Sequence, residues 1–252
     1  MLRGVPSIQH RTGLARITRS QLRRTARSLQ QRGRSSSTLN RSSVSGGMCL
    51  PAIRALFWDV GGVLLTNAWD HTQRSAALEH FQLDQKEFHS RHEMVVSSFE
   101  RGKITLDEYL DRTVFYRERP FDRQTFRDFM FSLSRPFPDV LAFAQALTDS
   151  RKYLMSTINN ESRELNYYRI EKFGLRGIFR IFVSSCFVGM RKPERDIYRV
   201  ALELTQIPGE ECCFIDDRQL NLECAAQLGM HTIEMKSLPE LQASLGRLGV
   251  NC

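Results

Sequence analysis

No aspartate or glutamate occurs before Asp59, although the same stretch holds eleven arginines. The 252-residue chain carries 36 basic and 28 acidic residues, a net charge of +8. From Asp59 onward 25 basic residues face 28 acidic ones. The excess positive charge is therefore N-terminal, and the overall basicity is no argument for nucleic-acid binding by the folded part. No run approaches the roughly 18 apolar residues of a membrane span; the longest, such as Ala55–Trp58 and Val63–Leu65, have strand length. The six cysteines (Cys49, Cys186, Cys212, Cys213, Cys224 and Cys252) form no Cys-x-x-Cys pair and no Cys/His cluster of zinc spacing. Free thiols in a reducing compartment are the expectation, with adjacent Cys212 and Cys213 on opposite faces of one strand. Hydrophobic residues, at 41%, are plentiful enough for a packed core and exclude global disorder.

Residues 1–47 form a basic, Arg- and Ser-rich extension, expected to be disordered. It lacks the apolar core of a secretory signal. Three readings fit its composition: an organellar transit peptide, an arm for nucleic acid or an anionic surface, and an unstructured leader or translated upstream sequence with Met48 as the true start. A cytoplasmic location follows from the last, a mitochondrial or plastid one from the first.

Beyond it, Ala55–Asp59 reads as a buried strand ending in a carboxylate, followed by the turn Gly61-Gly62. Helical periodicity then runs through His71–Phe81, Lys86–Glu100, Thr105–Phe115, Asp122–Leu133 and Asp139–Thr148. Thr105 and Glu108 have capping-box spacing. After Ser150, strand-like Tyr153–Thr157, Ile181–Ser184, Cys213–Ile215 and Thr232–Met235 alternate with helix-like Ser162–Phe173, Glu194–Leu204 and Leu220–Leu228. That alternation predicts an α/β fold: a three-layer, doubly wound, Rossmann-like parallel sheet. Residues 52–66 and 150–250 make its core, and 67–149 an inserted helical cap.

Ligands of such sheets bind beyond the carboxyl ends of the strands. Those ends carry Asp59, Ser156 with Thr157, and Asp216 with Asp217, while Lys192 follows the third strand. Converging carboxylates repel unless a cation lies among them, and hard oxygen ligands suit Mg²⁺, which also binds substrate phosphate. The segments WDVGGVL (58–64), MSTINN (155–160), GMRKP (189–193) and FIDDRQLNLECAAQLGM (214–230) resemble the motifs of the haloacid dehalogenase superfamily of hydrolases, in a branch with Asp-x-Gly-Gly/Asn-Val at the first motif. The resemblance implies a helical cap and Mg²⁺-dependent hydrolysis of a small phosphorylated metabolite. It implies Asp59 as the nucleophile that forms an aspartyl-phosphate. Asp59, Asp217, Asp216 and the Gly61 carbonyl would ligate metal. Ser156 or Thr157 would donate to a phosphoryl oxygen, and Lys192 would balance the anionic charge. Asn221 would orient the acidic pair, with Asn159 and Asn160 lining the pocket.

The sequence departs from that family at Gly61, where many members have a second Asp that protonates the leaving group. It also departs at Ser156-Thr157-Ile158-Asn159, which replaces a Ser/Thr-Asn pair. The alternatives are a metal-independent C–halogen hydrolase and a non-catalytic ligand-binding or interaction module. No partner nucleic acid, membrane span or oligomeric state is implied. Trp69, Phe115, Tyr116 and Phe121 read as cap core, the Arg-rich stretch 112–127 as a solvated face, and His89 with His92 as an improbable metal pair.

Overall fold

The computed structural model describes residues 52–252; the basic extension 1–47 lies outside the described residues. Five parallel strands form one sheet: β1 Ala55–Trp58, β2 Leu154–Asn159, β3 Ile181–Ser184, β4 Cys212–Asp216 and β5 His231–Glu234. Their order is β3-β2-β1-β4-β5. The described residues enter the sheet at its central strand, β1, and wind outward in both directions, so the ends of β1, β2 and β4 lie side by side at the switch point where such folds bind ligands.

Strand alternation sends neighbouring side chains to opposite faces. Leu56, Trp58, Met155, Cys213 and Ile215 join one apolar cluster. Ala55, Phe57, Ile158, Cys212 and Phe214 join another. Cys212 and Cys213 therefore do face opposite ways, both as free thiols, and burial pushes each up to about 12, which keeps them unreactive. Helices α5 (Pro138–Asp149), α6 (Arg163–Lys172) and α10 (Leu238–Arg247) cover the first face, through Val140, Ala144, Ile170 and Leu241. Helices α8 (Arg195–Thr205) and α9 (Gln219–Ala226) cover the second, through Ile197, Tyr198, Leu222 and Ala225. The short helix α7 (Ser185–Val188) follows β3 directly. These two layers bury apolar side chains worth about 1.5–3 kcal/mol each.

Four helices lie between β1 and α5: α1 His71–His80, α2 Gln85–Glu100, α3 Leu106–Thr113 and α4 Arg123–Ser132. Each starts on a polar cap. Asp70, Asp84, Thr105 and Asp122 accept hydrogen bonds from the first-turn amides, and Thr105 with Glu108 completes a capping box. The four helices close on an aromatic core that includes Phe81, Phe88, Phe99, Tyr109 and Phe126. Phe115 and Phe121 pack against it. The Arg-rich stretch is a solvated face, with Arg123 and Arg127 paired to Asp107 and Arg117 to Glu87.

The sequence reading places 139–149 in the cap, but α5 packs against the sheet through Val140, Ala144 and Leu147. An apolar helical stripe reads the same whichever core it faces. The two crossings between layers are stitched together: Thr66 N donates to Arg135 O at 2.8 Å and Phe137 N to Leu64 O at 2.9 Å. Leu65 and Pro136 form an antiparallel bridge. On this packing we propose that the cap comprises roughly residues 67–135.

Candidate active site

β1 delivers Asp59 at the centre of the switch point. Its amide donates to Ile215 O at 2.8 Å, extending the β1–β4 ladder by one residue. Register pairs Trp58 with Thr157 on one side and with Ile215 on the other. Asp59, Ile158 and Asp216 therefore occupy one level and point to one face. Asp59, Asp216 and Asp217 each present a carboxylate oxygen within 4.8 Å of the others.

One ammonium group faces this cluster. Lys192 Nζ lies 2.8 Å from Asp59 Oδ1 and 2.6 Å from Asp216 Oδ2. Lys192 is buried (2% exposed), and its backbone is clamped by Asn160. Asn160 Nδ2 donates to Lys192 O at 2.8 Å, and Lys192 N donates to Asn160 Oδ1 at 2.8 Å. Asp216 is fully buried, and it accepts from Asn221 Nδ2 at 2.9 and 3.1 Å and from Arg218 N at 2.8 Å.

Asp59 and Asp216 share one lysine, with Asp217 beside them. Burial raises Asp59 to about 7; Lys192 opposes the shift, while Asp216 and Asp217 add to it. Burial, then Asp216, also raises Asp217. Burial works against the Lys192 ammonium, but Asp59 and Asp216 outweigh it and hold its pKa above the ordinary lysine value. Asp217 Oδ1 is buried without a hydrogen-bond partner. An orphaned carboxylate oxygen beside two further carboxylates is a donor set that fits a hard divalent cation such as Mg²⁺.

A cavity of about 820 Å³ opens from Asp59, Gly61, Lys192 and Asn221 toward the helical layer. Its far wall includes Trp69, Arg74, His92 and Glu100. A buried ion pair, Arg169 with Glu161 at 2.7 Å, forms another part of the lining. Burial raises Glu161, opposed by Arg169. Arg169 Nη2 also donates to Thr66 O at 2.7 Å, which ties the pair to the start of the cap crossing.

Several expected site residues sit elsewhere. Neither Ser156 nor Thr157 is among the cavity-lining residues. Thr157 shares the face of Trp58 and Met155, away from Asp59, and Ser156 lies one pleat below Ile158. Both hydroxyls are buried without partners. β2 continues through Asn159, two residues past its expected end at Thr157, and that extension puts Ile158 level with Asp59. Asn159 is buried, pairing with Asn166 at 3.1 Å and Ser184 at 2.8 Å; it does not line the cavity. Asn160 does line it, with its amide committed to the Lys192 backbone. Sequence reasoning missed Asn67, Arg74, Glu161 and Arg169. Nothing in the local sequence marks them: Glu161 lies in the polar run Asn159-Asn160-Glu161-Ser162-Arg163-Glu164, and Arg169 is two residues from Glu171.

Comparison with known proteins gives a consistent picture. The family described as haloacid dehalogenase-like hydrolase matches residues 53–229. Flavin mononucleotide hydrolase 1, a chloroplast protein of Arabidopsis thaliana, is 28% identical over 170 residues, covering 64% of each chain. The chain thus spans just under two thirds of that relative's length. An enzyme of the same family from Bacteroides thetaiotaomicron, solved with magnesium and inorganic phosphate, superposes with a TM-score of 0.61 at 23% identity, covering 74% of this chain and 96% of that one. An L-2-haloacid dehalogenase superposes with a TM-score of 0.53 at 20% identity, over 75% of this chain and 87% of that one.

Proposed function

Because this chain belongs to the haloacid dehalogenase-like hydrolases, we propose that it hydrolyses small phosphomonoesters in a Mg²⁺-dependent reaction with Asp59 as the nucleophile. One observation carries this reading: Asp59, Asp216 and Asp217 gather oxygens within 4.8 Å of one another beside a single buried ammonium. A C–halogen hydrolase needs one carboxylate nucleophile and no cation, and it leaves the other two carboxylates without a role.

In the proposed reaction an Asp59 oxygen attacks phosphorus, the P–O bond to the leaving group breaks, and an aspartyl-phosphate forms. Water then attacks phosphorus, releasing inorganic phosphate and restoring the carboxylate. Mg²⁺, held by Asp59, Asp217, Asp216 and the Gly61 carbonyl, would neutralise charge on the transferring phosphoryl group. Lys192 opposes the effect of burial on Asp59 and adds a positive charge beside the nucleophile. Asn221 fixes the Asp216 carboxylate. Asn160 sets Lys192 through its backbone. The cap closes the cavity over these groups and limits water.

The Arabidopsis relative makes flavin mononucleotide a first substrate to try, and a cavity of about 820 Å³ is large enough for a nucleotide-sized ligand. The same relative's chloroplast name supports reading residues 1–47 as an organellar leader. The test measures phosphate release from flavin mononucleotide and from sugar and nucleotide phosphates, with Mg²⁺ and with EDTA, for native protein and Asp59→Asn. Mg²⁺-dependent turnover lost in Asp59→Asn is the expected result. Halide release from a 2-haloacid in EDTA favours the dehalogenase reading. No turnover with retained phosphate binding favours a binding module.

A further inference from the structure

His92, on the cap helix α2, is buried at 5% exposed and lines the cavity that begins at Asp59. Its Nδ1 lies 2.8 Å from Tyr109 Oη, and Trp69 Nε1 donates to the same oxygen at 2.8 Å. An indole nitrogen only donates, so the phenol oxygen accepts from Trp69; among the described residues His92 Nδ1 is the one acceptor hydrogen-bonded to the phenol, so the phenol proton is assigned to that bond. The ring proton of a neutral His92 then resides on Nε2. Among the described residues no group bonds to Nε2. Phe88 stacks on the imidazole at 6.0 Å and 10°, and Phe99 stacks on Tyr109 at 4.1 Å and 9°, so both rings are held in plane.

A histidine serving only the cap core would satisfy both nitrogens within the protein or give way to phenylalanine, which this aromatic cluster accommodates readily. Here one nitrogen is fixed by a relay two residues deep and the other is left for whatever enters the cavity. Burial, with Arg74 and His89 nearby, holds the ring down at about 3, so it stays neutral across the physiological range.

We propose that His92 is a substrate-positioning residue, held by the Trp69–Tyr109 relay as the Nε2–H tautomer, that donates to a hydrogen-bond acceptor on the leaving-group portion of the phosphomonoester. The inference rests on the phosphatase reading and adds a substrate class to it: phosphomonoesters whose organic part carries a carbonyl or ring-nitrogen acceptor, as opposed to plain alkyl or phenyl phosphates. A site built around such a donor discriminates strongly against analogues that leave it unpaired.

Two measurements test this. The ring nitrogens of ¹⁵N-histidine-labelled native protein, followed by NMR from pH 5 to 8, should show His92 with Nε2 protonated and Nδ1 bare throughout, and Tyr109→Phe should mix the tautomers. A protonated Nδ1 or a mixture in native protein overturns the proposal. In kinetics, His92→Phe should raise KM about tenfold for uridine 5′-monophosphate or flavin mononucleotide while leaving kcat and the KM of phenyl phosphate within about twofold. His92→Gln, which returns an N–H near the same place, should recover most of the loss. Equal losses on all substrates, no loss on any, or native turnover confined to phenyl phosphate overturns the proposal. If native protein releases phosphate from nothing, the phosphatase reading fails by itself, and the NMR spectrum still decides the tautomer.

Discussion

Lys192 Nζ sits 2.6 Å from Asp216 Oδ2 and 2.8 Å from Asp59 Oδ1, so one ammonium bridges the central strand and its β4 neighbour. All three groups are buried. Removing one member of a buried ionic set leaves uncompensated charge and costs about 3–5 kcal/mol. Lys192→Ala is therefore expected to lower the melting temperature by many degrees and to abolish phosphate release, with Mg²⁺ recovering part of the stability and none of the turnover. Lys192→Arg should fail as well, because a planar fork does not replace a point charge between two carboxylates. Thermal melts with and without Mg²⁺ check both; a melting temperature for Lys192→Ala equal to that of native protein contradicts the argument.

Asp59 supplies a pH dependence whose sign is fixed. Its folded pKa, about 7, lies above its ordinary value of 3.8. Between those values the folded state holds more protons than the unfolded one, so stability without metal falls as pH rises from about 4 to about 7 and then levels off. Asp217 shifts in the same direction and adds to the slope. Metal binding requires the carboxylates ionised, so it releases protons below neutral pH and weakens as pH falls. The melting temperature in EDTA should drop from pH 5 to 7, and the increase on adding Mg²⁺ should be larger at pH 8 than at pH 5. A Mg²⁺ increment that does not depend on pH contradicts the shared-charge account.

Much of this architecture was legible from local pattern. The capping box at Thr105 and Glu108 starts a cap helix as its spacing indicates, and the adjacent pair Cys212–Cys213 divides between the two faces of the sheet. The family assignment, too, stood on short motifs. The hydroxyl role was not legible. It depends on strand parity, and two more residues in β2 place Ile158 rather than Ser156 or Thr157 level with Asp59. Asn160 illustrates a related limit: residue type marks an amide at the site, but only the three-dimensional fold shows it holding the Lys192 backbone. The Arg169–Glu161 pair was invisible because its members meet across the start of α6, and their burial depends on the cap above them.

Gly62 connects backbone conformation with the acidic cluster. Its φ is +78°, a region that disfavours any side chain, and an added Cβ would lie 2.6 Å from Asp217 Cγ. Gly62→Ala must therefore strain the turn and push the Asp217 carboxylate aside. The expected result is a stability loss of at least about 1 kcal/mol together with a roughly 10–100-fold rise in the Mg²⁺ concentration needed for half-maximal activity. Mg²⁺ titrations of activity and of the melting temperature check it. Gly246→Ala serves as the control, since nothing lies within 4 Å of its added Cβ.

In the proposed phosphatase reaction, Gly61 sets the range of leaving groups. A Cβ added there would lie 2.9 Å from Asn67 Oδ1 and 3.8 Å from Arg169 Nη1, so the direction an acidic side chain would take is already filled. Arg169 is itself engaged by Glu161 and Thr66. On that proposal, with no carboxylic acid at that place, the departing oxygen should leave with little help, a deficit of about 10²–10⁴-fold on poor leaving groups. The logarithm of kcat/KM across substituted phenyl phosphates and glycerol phosphate should therefore fall steeply as the leaving-group pKa rises. Gly61→Asp alone should keep that slope, because Asn67 still occupies the space, whereas Gly61→Asp combined with Asn67→Gly should flatten it. A native slope near zero would mean that another group in the cavity already protonates the leaving oxygen.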